Sequence, residues 1–427
     1  MKRFPIIFSI ALLLFSHSVF AQGKFLKVQG TKVVKPDGSE FFIKGTNLGN
    51  WLCPEGYMFG FGKADNAASA PMLETMFNEL VGEDYAASFW RTFKDNYITE
   101  EDIRFIKSTG ANTVRLPLHY KLFTDEDYLG LYSAQDGFER VDKLLGWCKT
   151  HGVYVILDMH CAPGGQGGGT VDGGYGYPWL FADTAYQDQL LELWVKIAER
   201  YRDNEYVLGY ELLNEPIEHR PNEDNWDSLY YPMLEPLYKK ITAAIRTVDS
   251  NHIILLGGTR GNTEFQMFSD WNFDSNIMYT CHCYYASLRS VTDVEKFRSE
   301  VENGWYLKGL VEFRKMTGKP MFVGEAGHLT IEQQEVLVDI FRKNNLGYTF
   351  WPYKKYALGG CFVYFEADSG WDSIVSFAKA QRGTCAQVRK ARPDQTKAKA
   401  SMKAFVENCK ISNCSTDQRY INSIKLK

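Results

Sequence analysis

Two glutamates stand where a carboxylate could do chemistry. The stretch "GYELLNEP" (209–216) sets Asn214, Glu215 and Pro216 after an apolar run that reads as a buried strand, and "PMFVGEAG" (320–327) sets Glu325 in another. Burying a carboxylate is costly unless something pairs with it or uses it. Either glutamate alone fits a structural ion pair. Two of them on one rim are the equipment for cutting a glycosidic bond, one carboxyl serving as acid and base and the other as nucleophile or base.

Facing positions require a scaffold that ends both strands at the same rim. Eight short β-rich runs recur along the chain: "FFIKGTN", "NTVRLPL", "VYVILDMH", "VLGYELLNE", "HIILLGG", "IMYTCHCY", "PMFVGEAG" and "LGYTFWPY". Between them lie amphipathic stretches such as "AYQDQLLELWVKIAERYR", whose apolar residues recur at three and four. Strands alternating with helices predict a parallel sheet, and eight such units predict an α/β fold of the (β/α)8 TIM-barrel type in a single domain. A doubly wound open sheet is disfavoured because polar residues end nearly every run. The fifth and sixth runs leave room only for a short helix. The stretch "WLCPEGYMFGFGKADNAASAPM" is expected to form an ordered loop over the barrel mouth.

Composition narrows the setting. The chain has 427 residues, a formal charge of -4 and 45% hydrophobic content, which suits a protein with a large core and gives no basic surface for nucleic acid. Its N-terminus, "MKRFPIIFSIALLLFSHSVFAQ", reads as a signal peptide over residues 1–21 cut after Ala21. The apolar run is short for a span and has no basic flank after it, so no stable membrane anchor is expected. The product is expected to be secreted: extracellular, periplasmic or at the cell surface. The catalytic barrel is assigned to residues 22–410 and a polar tail to 411–427. The basic stretch "RKARPDQTKAKASMK" reads as a solvated final helix. Nine cysteines, an odd number, leave at least one unpaired. Cys281 and Cys283 read as buried thiols, while Cys385, Cys409 and Cys414 are the better disulfide candidates.

The ordered set "GTNLGNWL", "NTVRLPL", "LDMHCAPGGQGG", "LLNEP", "HCYY", "GEAG" and "FWPYK" resembles glycoside hydrolase family 5, the retaining (β/α)8 glycosidases of the cellulase superfamily, from about Gly45 to Trp351. The resemblance implies that Glu215 is the acid/base and Glu325 the nucleophile, with Arg115, His160, Asn214, His282, Tyr284 and Trp351 around them. Arg115 would hold Glu325 ionised. Asn214 would bond the sugar 2-hydroxyl, His282 would tune the proton on Glu215, and Tyr284 would bond Glu325. His160 would bind sugar hydroxyls and Trp351 would form a sugar platform. His119 falls on the same rim, outside the mapped set, and is kept as a candidate substrate contact.

The glycine-rich "CAPGGQGGGTVDGGYGYPW" lacks the Gly-Lys-Ser/Thr ending of a phosphate loop. It suits a loop folded against a substrate cleft. Within the family, "NLGNWL" and "DMHCAPGGQGG" are most similar to the exo-β-1,3-glucanase branch, although "GEAG" is as close to endo-acting cellulases. The implied partner is a β-linked oligo- or polysaccharide, with no cofactor and no metal. A metal-dependent hydrolase using Asp158, His160, His119 and His282 lacks paired ligands at helical spacing, and a non-catalytic sugar-binding barrel would need one carboxylate missing. Endo-acting β-1,4-glucanase or β-mannanase activity stays open as the alternative.

Overall fold

All eight runs become parallel strands in the computed structural model, which describes residues 24–62, 66–169, 172–173, 176–218 and 226–427. They are β1 Lys44–Asn47, β2 Thr113–His119, β3 Tyr154–Cys161, β4 Val207–Glu211, β5 Ile253–Gly257, β6 Ile277–Cys283, β7 Met321–Ala326 and β8 Gly347–Phe350. Each strand pairs with the next, and β8 closes on β1 from Tyr348↔Lys44 to Phe350↔Thr46, so the sheet is a closed barrel. Only Lys44 and Tyr154 among the strand residues are less than fully buried. A parallel strand covered on both faces reads as a continuous apolar run, which is why the pattern is legible without alternation. Gly45 shows how tight the seam is: a Cβ there would sit 1.7 Å from the Thr113 carbonyl oxygen.

Helices pack outside the strands, and several start on side-chain caps that fix their position. Ser133 accepts from the Asp136 amide at the head of the helix Ala134–His151, and Gly152 ends it with φ 65°. Asp183 caps Thr184–Tyr201, and Thr330 with Gln333 forms a capping box on Ile331–Lys343. Each such cap contributes about 1 kcal/mol. Between β5 and β6 there is only the four-residue turn Thr259–Asn262, with Arg260 and Gly261 in left-handed conformation, in line with the short interval.

The lower end of the barrel is plugged by the N-terminal segment. The hairpin of Lys27–Gln29 and Lys32–Val34 brings Leu26 and Val33, with Phe41, against Ile156, Leu208, Leu255, Met278 and Phe322. Burying each such side chain contributes about 1.5–3 kcal/mol. The helix Gln418–Ser423 and the residues after it pack on the outside of the barrel beside the helix Ile331–Lys343, with Tyr420, Ile424 and Leu426 buried. Tyr348 Oη donates to the Ile424 carbonyl at 2.9 Å. The stretch expected as a polar tail therefore carries an apolar face packed on the barrel. The basic stretch likewise forms the helix Gln395–Asn408, solvated on one side and burying Met402 and Phe405 on the other.

Two expectations change. β4 ends at Glu211, four residues before Glu215, because the chain turns through left-handed Glu215 (φ 42°) and Ile217 (φ 55°). Cys385, Cys409 and Cys414 form no disulfide: Cys385 is exposed, Cys409 is buried, and the Cys414 thiol lies against backbone carbonyls at residues 408–410. Among the described residues no helix is long and apolar enough to cross a membrane. The expected signal peptide lies outside the described residues.

Candidate active site

Arg115, on β2, is fully buried and spends its guanidinium across four strands. Its Nε and Nη2 grip Glu211 at 2.7 and 2.8 Å, Nη1 reaches Glu325 at 2.7 Å and Asn47 at 3.1 Å, and Nη2 also reaches Asn214 at 2.8 Å. Asp158 on β3 lies 3.0 Å from Nη2. One planar cation thus holds two carboxylates beneath the mouth and one at it. A lysine has the charge but not the fork.

Glu325 is held from both sides. Tyr284 Oη donates to its Oε2 at 2.5 Å, opposite the Arg115 contact on Oε1. Burial pushes its carboxyl upward, but His282, Arg115, His160 and Tyr284 together outweigh that and leave it at about 2. Glu325 is therefore a carboxylate throughout the physiological range.

Glu215 meets His282, whose Nδ1 lies 2.5 Å from Oε1. A register irregularity between Cys281 and His282 on β6 sets His282 opposite Glu325, with Nδ1 3.6 Å from Oε2. Burial pulls the imidazole down, and Glu325 and Glu215 pull it up and prevail. Beyond the ring, the Asn262 side-chain amide lies 3.2 Å from Nε2. With its oxygen turned to the ring it would accept from the imidazolium, satisfying an Asn262 Oδ1 that otherwise has no partner. The carboxyl oxygens of Glu215 and Glu325 and a ring nitrogen of His282 all fall within 4.8 Å of one another. Those three are the donor set a cation would use, and the Arg115 guanidinium, 2.7 Å from Glu325, already supplies positive charge there. The four residues considered for a metal site do not converge in that way: Asp158 is bound to His160, and His119 lies apart.

His160 Nδ1 pairs with Asp158 Oδ2 at 2.8 Å, and its ring lies parallel to Trp351 at 5.5 Å. Burial lowers its pKa, but Asp158 raises it further, to about 10, so it carries a proton at neutral pH. Trp351 Nε1 donates to Tyr57 Oη at 2.6 Å, which binds the platform to the mouth loop. Asn214 is buried beside Glu215, and its carbonyl accepts from Gln166 Nε2 at 2.8 Å. His119 has a different placement from the one expected. A register shift at Leu118/His119 sets its ring against Tyr120 and Tyr128, with Nδ1 accepting from the Lys121 amide at 3.2 Å. Burial drives it down to about 3, so it is a neutral packing residue beneath the glycine-rich loop, where a Cβ on Gly173 would meet its Nε2.

Two hollows meet at Glu215 and Gly261. One, of about 230 Å³, is lined by Gln166, Asp172, Asn214 and Arg260. The other, of about 510 Å³, is lined by Tyr284, Tyr285, Leu288, Trp305 and Tyr306. The arrangement offers a charged carboxylate, a second carboxyl within 4.8 Å, and aromatic walls for flat ligand faces.

With that geometry in place, the pattern defining the family described as Cellulase (glycosyl hydrolase family 5) matches residues 75–357. The chain belongs to glycosyl hydrolase family 5. It is a glycoside hydrolase on the family's barrel. Its relatives include a beta-xylosidase of Phanerodontia chrysosporium, 29% identical over 375 residues, covering 82% of this chain and 75% of that protein. Endoglucanase C of Acetivibrio thermocellus is 30% identical over 254 residues, covering 58% of this chain and 69% of that protein. A probable glucan 1,3-beta-glucosidase A of Emericella nidulans is 29% identical, covering 66% of each. Among solved structures, an endogalactoceramidase superposes with TM-score 0.55 at 18% identity, covering 78% of this chain and 75% of that one, which attests the shared fold.

Four residues of this family 5 site escaped the sequence reading: Glu211, Asn47, Asn262 and Glu55. Glu55, in the mouth loop, is a third carboxyl facing the family 5 pair. Burial raises it to about 8, with His160 opposing and Glu325 and Glu215 adding to the rise. Folding thus favours its protonated form, so its contribution to stability declines as pH rises from about 4.5 towards 8. Glu55→Gln, a neutral isostere, is expected to match the wild type near pH 4.5 and to exceed its Tm by about 2–5 °C at pH 8. Parallel thermal scans at the two pH values test this, and an equal offset at both would refute it.

Proposed function

We propose that this chain is an exported retaining β-glycosidase that hydrolyses a β-glucan by double displacement. The observation that carries the reading is the approach of the Glu215 and Glu325 carboxyls to within 4.8 Å, short enough for a carboxylate nucleophile and too short to seat a water between them as inversion requires. Glu325 Oε2, already charged, attacks the anomeric carbon while Glu215 delivers a proton to the departing sugar oxygen. The bond to Glu325 removes its negative charge as Glu215 gains one, so the carboxylate that His282 faces changes from Glu325 to Glu215. Glu215, now ionised, takes a proton from water as that water displaces the sugar from Glu325. Asn214, held by Arg115 at its side chain and by Gln166 at its backbone carbonyl, would bond the 2-hydroxyl, a contact that strengthens in the transition state. Protonated His160 and the Trp351 face would hold the glycone.

Glucan 1,3-β-glucosidase action is the favoured specificity, on the "NLGNWL" and "DMHCAPGGQGG" motifs together with the glucan 1,3-beta-glucosidases among the relatives. The endoglucanase relatives support endo-β-1,4 cutting as the alternative, and β-mannanase activity is the third arm of the test. Laminarin, β-1,3-oligosaccharides, cello-oligosaccharides and mannan are compared side by side. Glucose as the first product from laminarin, with the β-anomer formed first by NMR, is the expected result. Internal cutting of cello-oligosaccharides or mannan would overturn the linkage, and an α-anomer formed first would overturn retention.

A further inference from the structure

The glycosidase chemistry leaves one close pair of reactive groups unused. Cys53, in the mouth loop, and Cys161, the last residue of β3, bring their Sγ atoms to 3.0 Å. Both are buried, at 2% and 1% exposure. A disulfide has its sulfurs at about 2.05 Å, so a movement of about 1 Å joins them.

The position gives the pair a purpose. Cys161 directly follows His160, which lies parallel to Trp351, and Cys53 stands two residues before Glu55 and four before Tyr57, which holds Trp351 from the other side. The loop is also fastened by Trp51 Nε1 to the Lys94 carbonyl, by Tyr128 Oη to the Leu52 carbonyl, by the Glu55 amide to Asn50, by the Gly56 amide to the Ala68 carbonyl and by Trp371 Nε1 to the Phe59 carbonyl. All of these are hydrogen bonds, and none ties the loop to β3. A covalent tie at Cys53 would fix the segment that carries Glu55 and Tyr57 to the strand end that carries His160. It would also close a loop of about 100 residues, the kind for which restriction of the unfolded chain is large.

We propose that Cys53 and Cys161 are a disulfide site, oxidised as the chain folds, which locks the mouth loop to β3. The oxidant is a disulfide of the glutathione or oxidoreductase class. One cysteine thiolate attacks it, giving a mixed disulfide and releasing one thiol. The second cysteine thiolate then attacks the protein sulfur of that mixed disulfide, forming the Cys53–Cys161 bond and releasing the second thiol. Two protein thiols lose two electrons and two protons, and the oxidant gains them. The exchange takes place before burial is complete, because the folded core shields both sulfurs and burial pushes the Cys161 thiol well up. An exported chain folds where such oxidants are present.

The test refolds the full chain from denaturant in mixtures of reduced and oxidised glutathione, traps free thiols with N-ethylmaleimide, and maps non-reduced peptides by mass. A linked peptide pair containing Cys53 and Cys161, two hydrogens lighter than the separate peptides and resolved by dithiothreitol, is expected. The oxidised chain should melt about 5–15 °C above the dithiothreitol-treated chain, and Cys53→Ser should abolish that difference. The mass readout is independent of which sugar the enzyme cuts. Complete alkylation of both cysteines at every glutathione ratio would overturn the proposal, as would an unchanged response to dithiothreitol in Cys53→Ser. If Cys53→Ser does not fold, the wild-type peptide map alone decides.

Discussion

Glu325→Ala is expected to lower kcat by about 10⁵-fold, because it removes the group proposed to form the covalent intermediate. Loss of rate alone would fit any damaged site, so the informative readout is the product formed with azide. In Glu325→Ala, azide enters the space the carboxylate leaves, attacks from that face and yields an α-glycosyl azide from a β-linked substrate with an activated leaving group. In Glu215→Ala, such a substrate still forms the intermediate on Glu325, and azide then displaces it to give the β-glycosyl azide. The anomeric configuration thus separates the two roles. Reversed anomers would exchange the assignments, and a Glu325→Ala enzyme as fast as the wild type would dismiss the site.

Arg115→Met should produce the largest combined loss of stability and activity. The wild-type cation is wholly buried and contacts Glu211, Asp158 and Glu325. Its removal leaves carboxylates without compensation, which costs about 3–5 kcal/mol, or about 6–20 °C in Tm. The catalytic consequence follows from the same charge. Glu325 lies at about 2 partly because Arg115 is there. A carboxyl lowered in the fold contributes stability that is complete above its unfolded value of 4.5 and is lost as pH falls from 4.5 towards 2. In Arg115→Met the acid limb of kcat/KM should move upward by at least one pH unit, with kcat/KM at neutral pH reduced by about 10²–10³-fold. Arg115→Lys should recover part of the pH shift but little of the rate, since the fork to Glu211 and Glu325 is gone. An acid limb unmoved in Arg115→Met would mean that Arg115 does not set the charge on Glu325.

The strands were legible because a covered parallel strand is an uninterrupted apolar run, and chemistry stood out wherever a polar residue broke such a run near its end. That rule found Arg115, His160 and Glu325, but it also selected His119. One irregular step in β2 turns that side chain away, and a shift of a single residue is invisible in composition. Glu211 failed in the opposite way. It sits inside the β4 run, four residues before the more conspicuous Glu215, and its partner Arg115 is 96 residues distant. Asn262 depends on a left-handed turn and Glu55 on how the mouth loop folds back, neither of which has a sequence period. The C-terminal stretch misled because its polar residues outnumber its apolar ones. Tyr420 and Ile424, one helical turn apart, are the signal that it packs.

The way the barrel is sealed has a bearing on how the protein is made. β1 finds its second neighbour in β8, and Lys44 Nζ reaches the Leu426 carbonyl across 382 positions. At roughly 5–20 residues per second of synthesis, β1 waits roughly 15–60 s for the strand that completes it. Throughout that interval the growing polypeptide has no closed sheet. A topology that joins its first strand to its last therefore delays its own completion.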